Sequence, residues 1–216
     1  MPQPLAPGGG PSMKTRGAKK HGAQSATELE ATISELSPGG DGVAIVPMGG
    51  LAAERRAVFV RGVVCGDRVR LAVDTSTRPA RGRVIALLEA GADRVQPPCP
   101  WSSVCGGCDW MQVSATGQRT AHEAHVRGAL PLPWRDVAIA MHAAPRPLAY
   151  RTRARVHARA SGGRAIVGMN EARTRDPIEV ETCAVLHPDL EASRARFASL
   201  LDGAHGRGEA QLAATA

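Results

Sequence analysis

Arg68-Val-Arg-Leu-Ala-Val73 alternates without a break, with Val69, Leu71 and Val73 on one side and Arg68 and Arg70 on the other. A period of two belongs to a strand with one face on a core and the other in water. The residues before it repeat the pattern in short pieces. Cys65-Gly66-Asp67 marks a turn, Ala57–Val60 and Val43–Val46 read as strands, and Ser37-Pro-Gly-Gly-Asp-Gly42 is a turn. Glu30–Leu36 reads as a first strand and Arg81–Leu88 as a last one. About five short strands separated by Gly-rich turns predict a small barrel of the oligonucleotide-binding kind.

Beyond this segment the chain changes character at Cys99-Pro-Trp-Ser-Ser-Val-Cys105-Gly-Gly-Cys108. Thiolates are soft ligands, and three so close together in a Gly-punctuated loop point to a metal site. Positive φ at Gly106 and Gly107 is expected to turn both sulfurs of the knuckle toward one centre, with the glycine N–H groups free to face sulfur. Cys183 is the candidate fourth ligand. Spacing alone leaves three readings open: an iron–sulfur cluster, zinc, or a redox thiol pair or disulfide. Met1–Ser12 has no apolar stretch, so nothing there resembles a secretory signal, and a reducing cytoplasm is expected.

Ser114–Leu130 reads as a helix capped by Ser114 and stopped by Pro131 and Pro133. Then Tyr150-Arg-Thr-Arg-Ala-Arg-Val-His-Ala-Arg159 alternates again. Tyr150, Thr152, Ala154, Val156 and Ala158 share one face; Arg151, Arg153, Arg155, His157 and Arg159 share the other. A strand face this basic lies in water or against a polyanion. Gly162-Gly163 is the following hairpin turn, Arg164–Met169 and Pro177–Glu181 continue the sheet, and Pro188–Leu201 is a helix ended by Gly203. Gly208–Ala216 has the alternation of a strand that needs later partners, which predicts a fragment of a longer chain.

The fold class expected is mainly β with some α, in four parts. Residues 1–28 are a disordered basic tail (with Met13 as a second possible start), 29–94 the barrel, 95–113 the cysteine loop, and 114–216 a helix plus a partial α+β domain. The net charge of +7 favours a polyanionic partner. No apolar run approaches the roughly 20 residues that span a bilayer. A monomer without membrane contact is expected. Candidate nucleic-acid contacts are Arg55, Arg56, Arg61, Arg68, Arg70, Arg81 and Arg83 on the barrel, with Arg151, Arg153, Arg155 and Arg159 on the later strand. Planar guanidinium groups bind phosphate bidentately and stack on bases.

The order of parts carries a resemblance. Ile33–Ile45, Ala57-Val-Phe-Val60 and Gly66-Asp67-Arg-Val69 resemble a TRAM domain. Arg94-Val-Gln-Pro-Pro-Cys99-Pro, Val104-Cys-Gly-Gly-Cys108, Tyr150-Arg-Thr-Arg-Ala154 and Glu181-Thr-Cys-Ala-Val-Leu-His-Pro-Asp-Leu190 follow. This succession is similar to the N-terminal half of the RNA uracil-C5 methyltransferases, which act on ribosomal and transfer RNA uridines. The resemblance implies that Cys99, Cys105, Cys108 and Cys183 hold a [4Fe–4S] cluster, with Trp101 and Trp110 as shields. It also implies an RNA partner. Cys65 stands where the family has Pro, and Asp109-Trp-Met-Gln112 where Gln- and His-rich sequence is usual.

In that family S-adenosylmethionine and the attacking cysteine belong to a Rossmann-like domain further on. That domain is expected to be absent here. Gly40-Asp-Gly42 lacks a third glycine, Gly206-Arg-Gly208 is terminal, and no cysteine is left for a nucleophile. No catalytic residue is assigned, and S-adenosylmethionine enters only through the missing domain. A stand-alone RNA-binding protein with a structural iron–sulfur or zinc site is the alternative.

Overall fold

The computed structural model describes residues 27–48 and 54–214. The basic tail assigned to residues 1–28 lies almost wholly outside them. The described chain is mainly β, as expected, and forms two compact units: 27–97 with 109–141, and 98–108 with 142–214.

The first unit is built on a six-stranded sheet. Its strands are β1 (Thr27–Thr32), β2 (Glu35–Leu36), β3 (Gly42–Met48), β4 (Glu54–Val60), β5 (Arg68–Asp74) and β6 (Ala80–Glu89). They run in the order β1-β5-β6-β4-β3-β2, antiparallel except for β4 against β6. The sheet curls so that β1 also approaches β3, a half-barrel around Val58, Val60, Val69, Leu71 and Val73. β5 alternates as its sequence requires, with Val69, Leu71 and Val73 buried and Arg68 and Arg70 exposed. The single first strand expected over Glu30–Leu36 is broken. At Ile33 and Ser34 the backbone leaves β5 to bond with Asp67 and Val43, and Ile33 drops into the core.

Helix α1 (Ala115–Ala129) belongs to this unit. Ser114 caps it, its hydroxyl accepting from the Gly117 N–H at 2.9 Å and donating to Asp93. The segment before it is fastened to the half-barrel by Gln112, which donates to the Val63 carbonyl, and by Trp110, which donates to that of Gly40.

The second unit carries a three-stranded antiparallel sheet in the order β8-β7-β9, made of β7 (Arg153–Ser161), β8 (Arg164–Gly168) and β9 (Gly206–Ala213). Gly162 and Gly163 turn the hairpin at φ 64° and 78°. Helix α2 (Pro188–Leu200) packs Leu190 and Phe197 into the cluster of Val156, Val167 and Leu186, and Gly203 follows at φ 81°.

Two expectations are corrected here. The strand over Tyr150–Arg159 starts only at Arg153, because Ala149 takes a positive φ of 53° and Arg151 pairs in parallel with Leu186. Pro177–Glu181 is not a strand. Pro177 has no N–H to continue a ladder, and the segment touches its neighbour through an Asn170–Pro177 bridge and an Ile178-to-Met169 bond. At the C-terminal side, β9 pairs along its whole length with β7 and is an edge strand of the described sheet.

Candidate metal centre and basic faces

All four candidate ligands fall in the second unit. The loop that carries three of them closes like a short helical turn, the Cys105 and Val104 N–H groups both donating to the Trp101 carbonyl at 2.7 and 3.0 Å. Trp101 is buried with Cys99. The knuckle is then docked on the segment after β8. The Gly106 N–H donates to the Asn170 carbonyl at 2.9 Å, and the Ala172 N–H donates to that of Val104 at 2.9 Å.

Gly106 and Gly107 serve this docking by their lack of a side chain. Neither adopts a positive φ, which corrects the turn geometry expected from sequence. A Cβ on Gly106 would stand 3.1 Å from Ala172 Cα and 3.2 Å from the Asn170 carbonyl oxygen. One on Gly107 would stand 3.2 Å from Met169 Cγ and 3.4 Å from Cys105 Sγ. The Gly107 N–H does face sulfur, donating to Cys105 Sγ at 3.3 Å.

Cys183 comes from the segment between β8 and α2. It and Cys105 pack against the same apolar cluster of Val156, Met169 and Leu186. Burial pushes the Cys108 thiol up to about 11; the Arg151 charge pulls it down, and Cys183, Cys105 and Cys99 push it up. Cys108 therefore feels all three other cysteines, and none of the four is in a disulfide. The donor set is purely thiol, which fits soft metals and excludes a magnesium- or calcium-type site. Beside the loop, Asn170 Oδ1 is buried without a hydrogen-bond partner. The four thiols are the donor type that soft metals take, whereas the Asn170 amide oxygen is a hard acceptor. Among the described residues, no group of three or more His, Cys, Asp or Glu side chains is arranged to hold a metal ion as the protein stands.

Cys65 lies in the other unit, exposed, its thiol donating to the Ser34 carbonyl at 3.2 Å. Trp110 is also in that unit, its ring 4.8 Å from that of His122.

The arginines divide by what they meet. On the half-barrel, Arg68 and Arg70 share Glu30 at 3.2 and 3.1 Å, Arg81 meets Asp41 at 2.8 Å, and Arg61 lies 4.0 Å from Asp109. Arg55 and Arg83 are exposed, and Arg56 is half-buried. On the outer face of β7, Arg155 and His157 both lie 3.8 Å from Glu209, and Arg159 lies 3.5 Å from Asp176. Arg207 of β9 stands opposite Arg159 and also meets Asp176. Arg153 has no acidic partner among the described residues. The faces assigned from sequence are those observed for β7, with Val156, Ala158 and Ala160 buried. Sequence reading missed Glu209 and Asp176, which come from elements distant in the chain.

One further buried group went unread. Asp67 is fully buried and accepts from the Val64 N–H at 2.6 Å, the Gly91 N–H at 2.9 Å and Arg94 Nε at 2.9 Å. Its sequence signal was the Gly66-Asp67 turn.

No family model matches the chain. Curated relatives do. The 23S rRNA (uracil(1939)-C(5))-methyltransferase RlmD of Pectobacterium atrosepticum is 31% identical over 174 residues, 77% of this chain and 36% of the relative. The protein of the same name from Methylococcus capsulatus is 32% identical over 187 residues, 82% of this chain and 40% of its own length. An uncharacterized RNA methyltransferase of Thermosynechococcus vestitus is 28% identical over 171 residues, 77% of this chain and 36% of the relative. The chain thus spans somewhat over a third of the length of the curated relatives it matches.

Proposed function

The chain belongs to the RNA uracil-C5 methyltransferase family, and we propose that its share of that activity is to recognise RNA and to hold a [4Fe–4S] cluster. What supports the reading is that Cys99, Cys105, Cys108 and Cys183 all fall in one unit, with Cys105 and Cys183 packed against the same apolar cluster. A cluster bound there would supply a rigid, multivalent tie between the knuckle and the Cys183 segment. Methyl transfer from S-adenosylmethionine needs no electron, so the cluster's proposed role is structural. No residue described here is given a catalytic role.

RNA, ribosomal or transfer, is the proposed partner. The half-barrel is read as a TRAM-type module presenting Arg55 and Arg83, and the outer face of β7 as a second contact presenting Arg153, Arg155 and Arg159. Exposed ion pairs such as Arg155–Glu209 are worth about 0–1 kcal/mol, so a phosphate can replace the carboxylate at little cost. Cytoplasmic location follows from the thiols and the RNA partner. Among the described residues no helix is long and apolar enough to cross a membrane.

Anaerobic purification tests the cluster. The protein is expected to be brown, to absorb broadly near 400 nm and to contain about four irons with matching sulfide. Cys108→Ser and Cys183→Ser should each abolish that absorption. Colourless protein with stoichiometric zinc would sink the cluster and leave the cysteines as a zinc site.

A further inference from the structure

Arg151 stands apart from the other arginines. It precedes β7 and is half-buried, and its backbone is held on both sides by the segment that follows Cys183. The Arg151 N–H donates to the Val185 carbonyl at 2.8 Å, and the His187 N–H donates to the Arg151 carbonyl at 3.0 Å. Its side chain reaches the other way. Nη2 donates to the Gly107 carbonyl at 3.4 Å, inside the Cys105-Gly-Gly-Cys108 knuckle. One residue therefore connects the two arms of the cysteine set, and it brings a permanent positive charge to a place where four thiolates would gather negative charge. No other cation is among the charges that act on Cys108.

We propose that Arg151 is a positioning residue for the cysteine-held group: it fixes the knuckle against the Cys183 segment and offsets the charge of the thiolates, and it is not an RNA contact. This rests on the cluster reading above. A guanidinium in a half-buried site is screened far less than one in water, so its charge favours the more negative, reduced form of the cluster and raises its midpoint potential. Its Nη2 holds the knuckle carbonyl and so slows the loss of metal. Partners one layer beyond metal ligands typically matter about 10- to 100-fold in metal affinity.

The test compares wild type, R151Q and R151K, each loaded anaerobically with iron and sulfide. R151Q should lose iron to a chelator about tenfold faster or more, and its midpoint in a spectroelectrochemical titration should shift negative. R151K keeps the charge without the fork, so its midpoint should stay near that of wild type while iron loss still accelerates. A R151Q protein with unchanged midpoint and unchanged iron loss overturns the proposal. So does a fall in RNA affinity for R151Q with the midpoint unmoved. Should R151Q fail to fold, R151K decides, and iron loss equal to wild type counts against the tie. A wild type that takes up neither iron nor sulfide overturns the cluster reading and this proposal with it, whereas a loaded wild type with silent variants overturns this proposal alone.

Discussion

Asp67 gathers N–H donors from Val64, Gly91 and the Nε and Nη2 of Arg94, and Arg94 Nη2 also donates to the Gly62 carbonyl at 3.1 Å. A carboxylate with no exposure is tolerable only when paired and fully hydrogen-bonded. Removing it leaves Arg94 half-buried without its partner and two backbone amides, those of Val64 and Gly91, without an acceptor. Asp67→Ala should therefore cost about 3–5 kcal/mol, the usual effect of breaking a buried pair. Urea unfolding would measure it, and a loss under about 1 kcal/mol would mean the turn is held by something else. Cys108 gives a second prediction at this scale. Burial pushes its thiol up to about 11, above the ordinary cysteine range, so the folded state keeps the proton that the unfolded chain releases. In protein stripped of metal, that contribution to stability is fully present below about pH 9 and is lost as pH rises toward 11. Alkylation of Cys108 by iodoacetamide at pH 8 should accordingly lag behind that of exposed Cys65, even though burial and the nearby Asp93, Asp67 and Glu35 push the Cys65 thiol up as well. Equal rates at the two thiols would count against the burial of Cys108.

At the scale of elements, strands were legible where one face meets a core. β5 and β7 alternate because Val69, Leu71 and Val73, or Val156, Ala158 and Ala160, must all point the same way. The cap of α1 was also legible, since a serine before a helical stretch satisfies an otherwise open amide. Ser114→Ala should cost about 1 kcal/mol in thermal or urea unfolding, and more if the bond to Asp93 is counted with the cap. A neutral outcome would mean that water replaces the hydroxyl. What escaped the sequence depended on partners far along the chain. The alternation of β9 was visible, but nothing local says that it pairs with β7 across more than forty residues of intervening chain. The glycines of the knuckle were read for their conformational freedom. Their use is close approach to Ala172 and Met169, which no local pattern encodes. That Cys105 and Cys183 pack against one apolar cluster depends on the path of the chain through β7 and β8, which spacing does not give.

For the whole molecule the question is how much of the +7 charge is available to RNA. Net charge sets attraction at long range, but the salt dependence of binding counts only the phosphates actually neutralised. Several barrel arginines already face Glu30, Asp41 or Asp109, and on the β7 face Glu209 and Asp176 stand among Arg155, Arg159 and Arg207. Arg153 is the cation there with nothing to give up before meeting a phosphate. For a single strand each neutralised phosphate contributes about 0.7 to the slope of log K against log salt. Arg153→Ala alone should then lower the slope by about 0.7. Arg155→Ala and Arg159→Ala should each lower it by less, because each removal also releases an acid that repels RNA. Glu209→Gln should act in the opposite direction, tightening binding at low salt. Fluorescence anisotropy with a short uridine-containing RNA over a salt series measures all four. A slope unmoved by Arg153→Ala would return the β7 face to solvent and leave RNA recognition to Arg55 and Arg83 on the half-barrel.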